Sequence, residues 1–251
     1  MIYLISGSRG YIGSKLVKAI DDTIFEIDLK IGRDILSYDF KEKPFYLYHL
    51  AAQSGVPESV DDPINDARQN ILGTLKAIEI ANKYNAKLIF TTSGAAIGKA
   101  NSPYGLSKQA CEKYIKMLCN DYVILRLSSI YGDKPKGVVD TFIRNKKCCI
   151  FGDGTQKRDF VNIDDIVNCL ILAKNWDMGT YECGSGKGIS INEIAKATGK
   201  KIEYLPKRNG DKGSVILRNT TPKIDKIKHS WYPEIDVISY IKNKCQSQMK
   251  K

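Results

Sequence analysis

The stretch MIYLISGSRGYIG, residues 1–13, is the strongest indication of how this chain folds. Its apolar run at residues 2–6 predicts a β-strand, and three glycines come next, where a predicted helix opens. Glycines at such a turn let backbone N–H groups approach a pyrophosphate at the positive end of the helix. The spacing is GxxGxxG, and we interpret it as a dinucleotide-binding turn. The residues assigned to the cofactor here are Gly7, Gly10, Tyr11, Ile12 and Gly13.

Apolar runs alternate with helix-period segments in the rest of the first half. The predicted strands are 2–6, 23–28, 45–52, 87–92 and 122–127, and the predicted helices open near Tyr11 and span 65–84 and 103–119. This alternation predicts an α/β fold, a Rossmann-like doubly wound parallel sheet covered by helices on both faces. Shorter units come after Gly132 and predict a smaller mixed α/β C-terminal portion that binds the substrate. We expect residues 1–131 with about 160–175 to bind the dinucleotide, and 132–159 with 176–251 to form the smaller portion.

Composition excludes several classes of function. The chain has 251 residues, of which 43% are apolar, and this supports a sizeable core. Two histidines are too few for a three-histidine metal site, so no metal is expected. The net charge of +11 comes mostly from scattered lysines without an aromatic ladder, which argues against nucleic-acid binding. No leader pattern and no bilayer-length apolar run are found, and seven irregularly spaced cysteines fit a reducing compartment. We therefore expect a soluble, cytoplasmic protein without membrane contact.

Asp28 ends the second predicted strand, where a carboxylate can accept hydrogen bonds from both hydroxyls of an adenosine ribose. It would also repel a 2′-phosphate, which favours NAD over NADP. Lys30 and Arg33 lie close enough in sequence to keep NADP open. Only five residues separate Asp28 from Asp34, so we expect a shortened adenine side with Asp34 and Ile35 as the adenine contact.

A tyrosine and a lysine share one face of the predicted helix 103–119, because Tyr104 and Lys108 are four residues apart. Ser102 can cap this helix and Pro103 suits its first position. A nearby ammonium, together with a positive nicotinamide ring, stabilises a phenolate and lowers the pKa of the tyrosine, which then serves as a proton acceptor without histidine. Ser93 ends the preceding strand, where its hydroxyl can reach the same substrate oxygen.

The order of these features resembles the extended short-chain dehydrogenase/reductase family, and its nucleotide-sugar epimerase/dehydratase branch in particular. The likeness runs over nearly the whole chain. The segments that carry it are HLAAQ at 49–53, NILGT at 70–74, PYGLSK at 103–108, RLSSIYG at 126–132 and GDGTQKRDFV at 152–161.

The resemblance implies roles for further residues. Leu50, Ala51 and Ala52 would line the cofactor. Arg158, and with it Arg208, would hold a nucleotide diphosphate, a role that suits the bidentate guanidinium. Asp211 would bind the nucleoside ribose, and Ser129 would contact the substrate where many relatives have asparagine. The resemblance also implies a homodimer that pairs helices 65–84 and 103–119.

The type of reaction depends on the residues directly after Ser93. Dehydratases of this branch place Asp-Glu there and decarboxylases usually place Glu two residues on, whereas this chain has Gly94-Ala95-Ala96. We therefore expect an NAD-dependent 4-epimerase of a nucleotide sugar, UDP-hexose or UDP-N-acetylhexosamine, with Ser93, Tyr104 and Lys108 as catalytic and substrate-facing residues. A nucleotide-linked 4-keto-sugar reductase and a non-catalytic dinucleotide-binding regulator remain open.

Overall fold

Six strands form the central sheet, and five of them come from the first half of the chain. The computed structural model of the protein describes residues 1–41, 43–133, 137–207, 216–221 and 231–249. In spatial order the strands are β2 (Thr23–Ile27), β1 (Ile2–Ser6), β3 (Tyr46–His49), β4 (Lys87–Ser93), β5 (Tyr122–Leu127) and β10 (Gly179–Cys183). Pairing from β2 to β4 is parallel. The chain passes from β1 outward to β2 and then to β3 on the other side of β1, and such a reversal creates a ligand crevice outside the carboxyl ends of the strands. The predicted Rossmann-like sheet is confirmed.

Helices accompany this sheet: those that follow β1, precede β4 and follow β4 pack on its strands, and two short ones pack on the helix that follows β4. They are α1 (Tyr11–Ala19), α2 (Val56–Asp61), α3 (Pro63–Ala67), α4 (Gly73–Tyr84), α5 (Pro103–Leu118) and α7 (Ile163–Ala173). The buried positions of α4 include Thr74, Ala77, Ile78 and Ala81, which match the 3.6-residue period of an amphipathic helix. The predicted helix 65–84 is therefore real, but a π-helical segment, Arg68–Leu72, interrupts it between α3 and α4.

The connection from β2 to β3 is short, as the sequence predicts. Among its described residues, the helical part is the 3₁₀ turn Leu29–Ile31, which Asp28 caps by accepting from the backbone N–H of Lys30. The αL conformation of Gly32 (φ 71°) ends this turn. Beyond β2, the described residues add no further strand to that edge of the sheet.

The chain divides into two compact units. Among the described residues, the first comprises 1–41, 43–126 and 167–181, and the second comprises 127–133, 137–166, 182–207, 216–221 and 231–249. The first stretch of the first unit ends at Arg126, whereas we expected residue 131. The second stretch begins at Val167, whereas we expected about residue 160. The binding roles assigned to the two parts stay predictions. Within the described ranges, no helix combines the length and the apolar character that a bilayer crossing requires.

In the part that the structure describes, the second unit contains short paired strands and three helices of its own. Its elements are β6 (Ser129–Tyr131), α6 (Val138–Arg144), β7 (Lys147–Phe151), β8 (Lys157–Arg158), β9 (Phe160–Asn162), β11 (Ile189–Ser190), α8 (Ile191–Ala197), β12 (Lys201–Leu205) and α9 (Val237–Met249). The pairs are β6 with β9 and β7 with β12, both parallel, and β8 with β11, antiparallel. Their shared core includes Tyr131, Phe142, Ile150, Ile194 and Ile241.

Candidate active site

The glycine turn joins β1 to α1 in a conformation that side chains would block. Gly7 has φ +77°, and a Cβ atom there would lie 2.5 Å from the backbone nitrogen of Ala51. A Cβ on Gly13 would lie 2.1 Å from the carbonyl oxygen of Gly7. Because only glycine fits both positions, α1 approaches the turn closely and its N-terminal N–H groups, preceded by Gly10, point at the turn without a side-chain cap. This backbone cradle fits a pyrophosphate, so the residues present fit a dinucleotide.

The remaining cofactor candidates lie around this turn. Tyr11 and Ile12 open α1, and Leu50 binds the end of β1 by donating its N–H to the carbonyl oxygen of Ser6 at 2.9 Å. Ala51 and Ala52 come next in the chain, and all five of these candidates are half-buried. These positions bring the turn and the end of β3 together, while contact with a cofactor stays a prediction.

Asp28 lies at the end of β2, where the sequence analysis places it. Its Oδ2 accepts from the backbone N–H of Arg9 and its Oδ1 from that of Lys30, each at 2.9 Å. Asp34 caps the next turn by accepting from the N–H of Leu36 at 3.0 Å. Ile35 is buried in the hydrophobic core of the first unit. The adenine contact assigned to Asp34 and Ile35 is therefore not evident from their side chains, and it stays a prediction.

Ser93, Tyr104 and Lys108 lie within the first unit, at the end of β4 and the start of α5. Ser102 caps α5 by accepting from the N–H of Gly105 at 3.1 Å, and Pro103 occupies its first turn, as predicted. The buried face of α5 contains both Tyr104 and Lys108. The Ser93 side chain lies near enough to the Tyr104 phenol to lower its pKa, and Ser93 Oγ accepts from the N–H of Ala95 at 3.2 Å. The three residues therefore form one group, and Ser93 keeps its own proton for the phenolic oxygen.

Lys108 is buried on α5, one helical turn after Tyr104. It is 4% exposed, donates to the carbonyl oxygen of Thr91 at 3.2 Å, and its ammonium lies 4.8 Å from the centroid of the Phe90 ring. Burial lowers the pKa of Lys108, while the nearby Cys111, Asp66 and Glu112 oppose that shift. The ammonium is fixed one helical turn from Tyr104.

The pKa of Tyr104 differs from the sequence-based expectation. In the protein by itself burial raises the pKa of Tyr104 to about 12, and the hydrogen bond from Ser93 is the contribution that lowers it. Lys108 is not among the groups that shift this pKa, and the nearby Asp66 and Cys111 raise it further. A positive charge beside the phenol is needed before Tyr104 can accept a proton near neutral pH.

A buried polar network supports α5 from the π-helical segment. The side-chain amide of Asn70 donates to Asp66 Oδ1 at 3.0 Å and to Ser107 Oγ at 2.9 Å. Cys111 Sγ donates to the carbonyl oxygen of Asn70 at 3.2 Å, and Thr74 Oγ1 donates to Cys111 Sγ at 3.3 Å. All five residues are buried. The segment 70–74 was not predicted to support α5. The spacing of Asp66 and Asn70, four residues apart on one face of the predicted helix 65–84, could have indicated this buried network.

His49 is another buried polar residue that the sequence pattern did not single out. It is fully buried at the end of β3, stacks on Phe90 and pairs with Ser6 Oγ through Nδ1 at 2.6 Å. Burial, with a smaller effect of Lys108, lowers the pKa of His49 to about 3. The imidazole is therefore neutral near pH 7 and ties the end of β3 to the residue before the glycine turn.

Arg158 and Ser129 lie in the second unit. Arg158 is half-buried on β8 and donates from Nη1 to the carbonyl oxygen of Lys157 at 3.0 Å. The N–H of Ser129 donates to the carbonyl oxygen of Asp159 at 2.9 Å, and the carboxylate of Asp159 accepts from the N–H groups of Ser185 and Gly186. Asp159, which the sequence analysis gave no role, thus fixes the segments next to both candidates. Arg208 and Asp211 lie outside the described residues.

The fold and the group around Tyr104 define a class of protein, the extended short-chain dehydrogenase/reductases. Comparisons with known proteins agree. The model of the NAD dependent epimerase/dehydratase family matches residues 3–184. A putative UDP-glucose 4-epimerase of Methanocaldococcus jannaschii is 31% identical, and the match covers 95% of each chain.

Solved structures agree as well. The UDP-glucose 4-epimerase of Thermotoga maritima with UDP-glucose has a TM-score of 0.83 and 28% identity, and the match covers 100% of this chain and 99% of that one. The UDP-glucose 4-epimerase of Thermus thermophilus in complex with NAD has a TM-score of 0.81 and 26% identity, with 98% of each chain covered. The protein belongs to the NAD-dependent epimerase/dehydratase family, and it is an NAD-dependent epimerase.

Proposed function

We propose that the protein is a nucleotide-sugar 4-epimerase whose substrate is a UDP-hexose or a UDP-N-acetylhexosamine. The observation that carries the proposal is the placement of Ser93 at the end of β4 beside Tyr104 on the buried face of α5, with Lys108 one turn away and the 3₁₀ turn Gly94–Ala96 directly after Ser93. That turn contains no carboxylate, so it provides neither the acid nor the base that loss of water from the sugar requires. The relatives named UDP-glucose 4-epimerase support the same choice.

Tyr104 is the proton acceptor in this proposal. A phenol with a pKa of about 12 is ionised in about one molecule in 10⁴ to 10⁵ near pH 7.5. NAD, when bound, supplies a hydride acceptor and a positive ring charge that favours the phenolate. Tyr104 would then take the proton of the sugar's 4-hydroxyl group and later return it to the same oxygen in the epimer, so the residue would end the reaction as it began.

Ser93 and Lys108 assist the proton transfer. The Ser93 hydroxyl lowers the pKa of the phenol and can donate to the substrate oxygen as the proton leaves it. Lys108, held by the carbonyl oxygen of Thr91, supplies a fixed positive charge and can hold the ribose next to the nicotinamide. These roles need the side chains where the structure has them, on one helix face and one strand end.

The substrate's diphosphate is the assigned ligand of Arg158, with Arg208 as a second cation and Asp211 on the nucleoside ribose. Arg158 offers a planar fork of donors that matches two phosphate oxygens. Ser129 is the assigned sugar contact. By holding the diphosphate, these residues would keep the nucleotide in place while the sugar rotates and presents its opposite face.

A homodimer is the proposed assembly, and it would pair α3, α4 and α5 with the same helices of a second copy. Large apolar side chains are exposed on or next to these helices: Ile64 is 81% exposed, Leu72 50%, Leu106 62% and Met117 78%. Exposed apolar residues on neighbouring helices favour a protein interface. Light scattering should give a mass of about two chains, and Leu106→Glu with Met117→Glu should give the monomer.

Product analysis tests the proposed reaction. Purified protein is incubated with UDP-galactose, UDP-glucose and their N-acetyl forms, first without and then with added NAD, and a nucleotide-linked 4-keto sugar is offered with NADH or NADPH. Inversion at C4 without net use of cofactor supports the epimerase. Turnover of the keto sugar alone, with equal consumption of NADH or NADPH, identifies a reductase instead. Protein that binds NAD and converts none of these sugars is a regulator and overturns the proposal.

A further inference from the structure

Charged side chains surround Asp28 at the edge where the adenosine ribose is expected. Arg9 Nη2 lies 2.8 Å from Glu26 Oε1, and the backbone N–H of Arg9 donates to Asp28 Oδ2. Lys30 donates from its backbone to Asp28 Oδ1 and from its ammonium to the carbonyl oxygen of Arg9 at 3.1 Å. Arg33 Nη1 donates to the carbonyl oxygen of Glu26 at 3.0 Å. We call these five residues the ribose-edge cluster.

The ribose-edge cluster has more positive than negative charge. It contains Arg9, Lys30 and Arg33 against two carboxylates, so its formal charge is +1. The ammonium of Lys30 and the guanidinium of Arg33 bind neutral carbonyl oxygens, which do not cancel their charge. A 2′-phosphate carries a charge of about −1.5 to −2 near neutral pH. Cations alone would therefore attract NADP to this edge.

Glu26 holds the guanidinium nearest to the glycine turn. Its side chain is 20% exposed, and its Oε2 atom is buried without a hydrogen-bond partner among the described residues. A carboxylate so placed is largely removed from water and binds its cation more firmly than a fully exposed one does. Arg9 comes directly after Ser8 within the turn, so neutralising Arg9 removes positive charge directly next to the ribose of the dinucleotide.

We propose that Glu26 is a second determinant of the preference for NAD over NADP, and that it acts by neutralising Arg9. Asp28 repels a 2′-phosphate directly, as strand-end acids do in such folds. Glu26 works through its neighbour, so it is a positioning residue for the charge of Arg9. This inference rests on the family's use of NAD and not on which sugar reaction the enzyme performs, because binding of the dinucleotide alone tests it.

Glu26→Gln is the primary test, because it keeps the shape of the side chain and removes its charge. Titration calorimetry with NAD⁺ and with NADP⁺, without sugar, measures the two dissociation constants. We expect the affinity for NADP⁺ to rise about five- to tenfold and the affinity for NAD⁺ to change by less than about twofold. A tenfold change in affinity corresponds to about 1.4 kcal/mol. The gain should shrink as salt is raised from about 20 to 300 mM.

Two further variants make the result specific to Arg9. Arg9→Gln in the Glu26→Gln background should abolish the gain. Arg9→Gln alone should weaken NADP⁺ about threefold more than NAD⁺, because the freed Glu26 carboxylate then repels the 2′-phosphate. This second variant changes a half-exposed side chain and keeps the proposal testable if Glu26→Gln does not fold.

A matched control comes from another ion pair of the first unit. Lys76 Nζ lies 2.8 Å from Glu79 Oε1 on α4, and Glu79→Gln removes a charge of the same kind outside the ribose-edge cluster. It should leave both dissociation constants unchanged. The proposal is overturned if folded Glu26→Gln keeps the wild-type ratio of NADP⁺ to NAD⁺ affinity, if its gain persists after Arg9→Gln, or if Glu79→Gln produces the same gain.

Discussion

The side-chain amide of Asn70 donates to Ser107 Oγ across 2.9 Å, and this bond joins the π-helical segment to the helix that contains Tyr104 and Lys108. Ser107 also donates to the carbonyl oxygen of Tyr104 at 3.1 Å. The backbone at Tyr104 is thus linked to Asn70 through one hydroxyl. An insertion of one residue in a helix often marks a functional site, and here the π-helical segment faces the helix of the proposed proton acceptor.

Asn70→Ala should lower both stability and turnover. The change leaves Ser107 and Asp66 without a buried donor, which costs about 1–3 kcal/mol in the free energy of unfolding. We expect kcat to fall at least tenfold and KM to change less, because the position of Tyr104 is altered rather than the substrate contacts. Denaturant unfolding and steady-state kinetics measure these effects. Asn65→Ala, at an exposed position of α3, is the matched control and should change neither.

Ser93→Ala should raise the pKa of Tyr104 further. The hydrogen bond from Ser93 is the contribution that lowers this pKa, so removing it favours the neutral phenol. In the enzyme reaction, the rise of kcat/KM with pH should therefore move to higher pH. Absorbance of the phenolate near 295 nm, taken as the difference from Tyr104→Phe, reports the free protein. An unchanged pH profile together with an unchanged phenolate titration would show that Ser93 does not act on Tyr104.

Tyr104→Phe should abolish epimerisation while leaving NAD bound. Phe has no proton to accept or return, and general acid–base catalysis typically contributes about 10²- to 10⁴-fold, so we expect at least that loss in kcat. Turnover and NAD affinity are measured separately. Tyr114→Phe, on the same helix and 38% exposed, should retain full activity. Activity of Tyr104→Phe within a few-fold of wild type would remove Tyr104 as the base.

His49 should make stability depend on pH in the acid range. Its pKa is about 3 in the folded protein against 6.5 for the free side chain, so the unfolded chain binds more protons below pH 6.5. The free energy of unfolding should then fall as pH falls through that window, by about 2–3 kcal/mol between pH 6.5 and 4.5 from this residue. Denaturant unfolding of wild type and His49→Gln at both pH values isolates the effect. A slope that is the same in both proteins would contradict the assignment.

Arg158→Ala should weaken binding of the nucleotide sugar without altering NAD affinity. Truncating one charged partner of a phosphate typically costs about 2–5 kcal/mol, so we expect the dissociation constant of UDP-glucose or its N-acetyl form to rise at least 30-fold. Arg158→Lys keeps the charge and loses the planar fork, and its affinity should lie between those of wild type and Arg158→Ala. Titration calorimetry measures both. Equal affinity in wild type and Arg158→Ala would exclude the residue from the site.

Local sequence was enough to predict the glycine turn and helix α5. Gly7, Gly13 and Asp28 could be placed because a strand, a turn and a helix succeed each other within a few residues. Ser102 and Pro103 marked the start of α5, and the four-residue spacing put Tyr104 and Lys108 on one face. The likeness to a known family, rather than spacing, supplied the roles proposed for Arg158 and Ser129.

Contacts between distant segments could not be predicted in this way. The pair of Arg9 and Glu26 joins a turn to the neighbouring strand, and the network of Asn70 and Ser107 joins two helices 37 residues apart. The pKa of Tyr104 is set mainly by burial, which depends on segments from distant parts of the sequence and cannot be seen in the spacing of Tyr104 and Lys108. β12 also went unnoticed, because its partner β7 lies about 50 residues earlier.

The segment 167–181, which returns to the first unit late in the chain, affects how that unit folds during synthesis. The hydroxyl of Tyr48 donates to the carbonyl oxygen of Leu170 at 3.1 Å, and the ammonium of Lys87 binds the carbonyl oxygen of Trp176. A ribosome that has released only about the first 130 residues has not yet exposed Leu170, so the buried hydroxyl of Tyr48 lacks this acceptor, while Lys87 can already pair with Asp121. Nascent chains halted there should be protease-sensitive, and resistance should arise only once Tyr181 has left the exit tunnel.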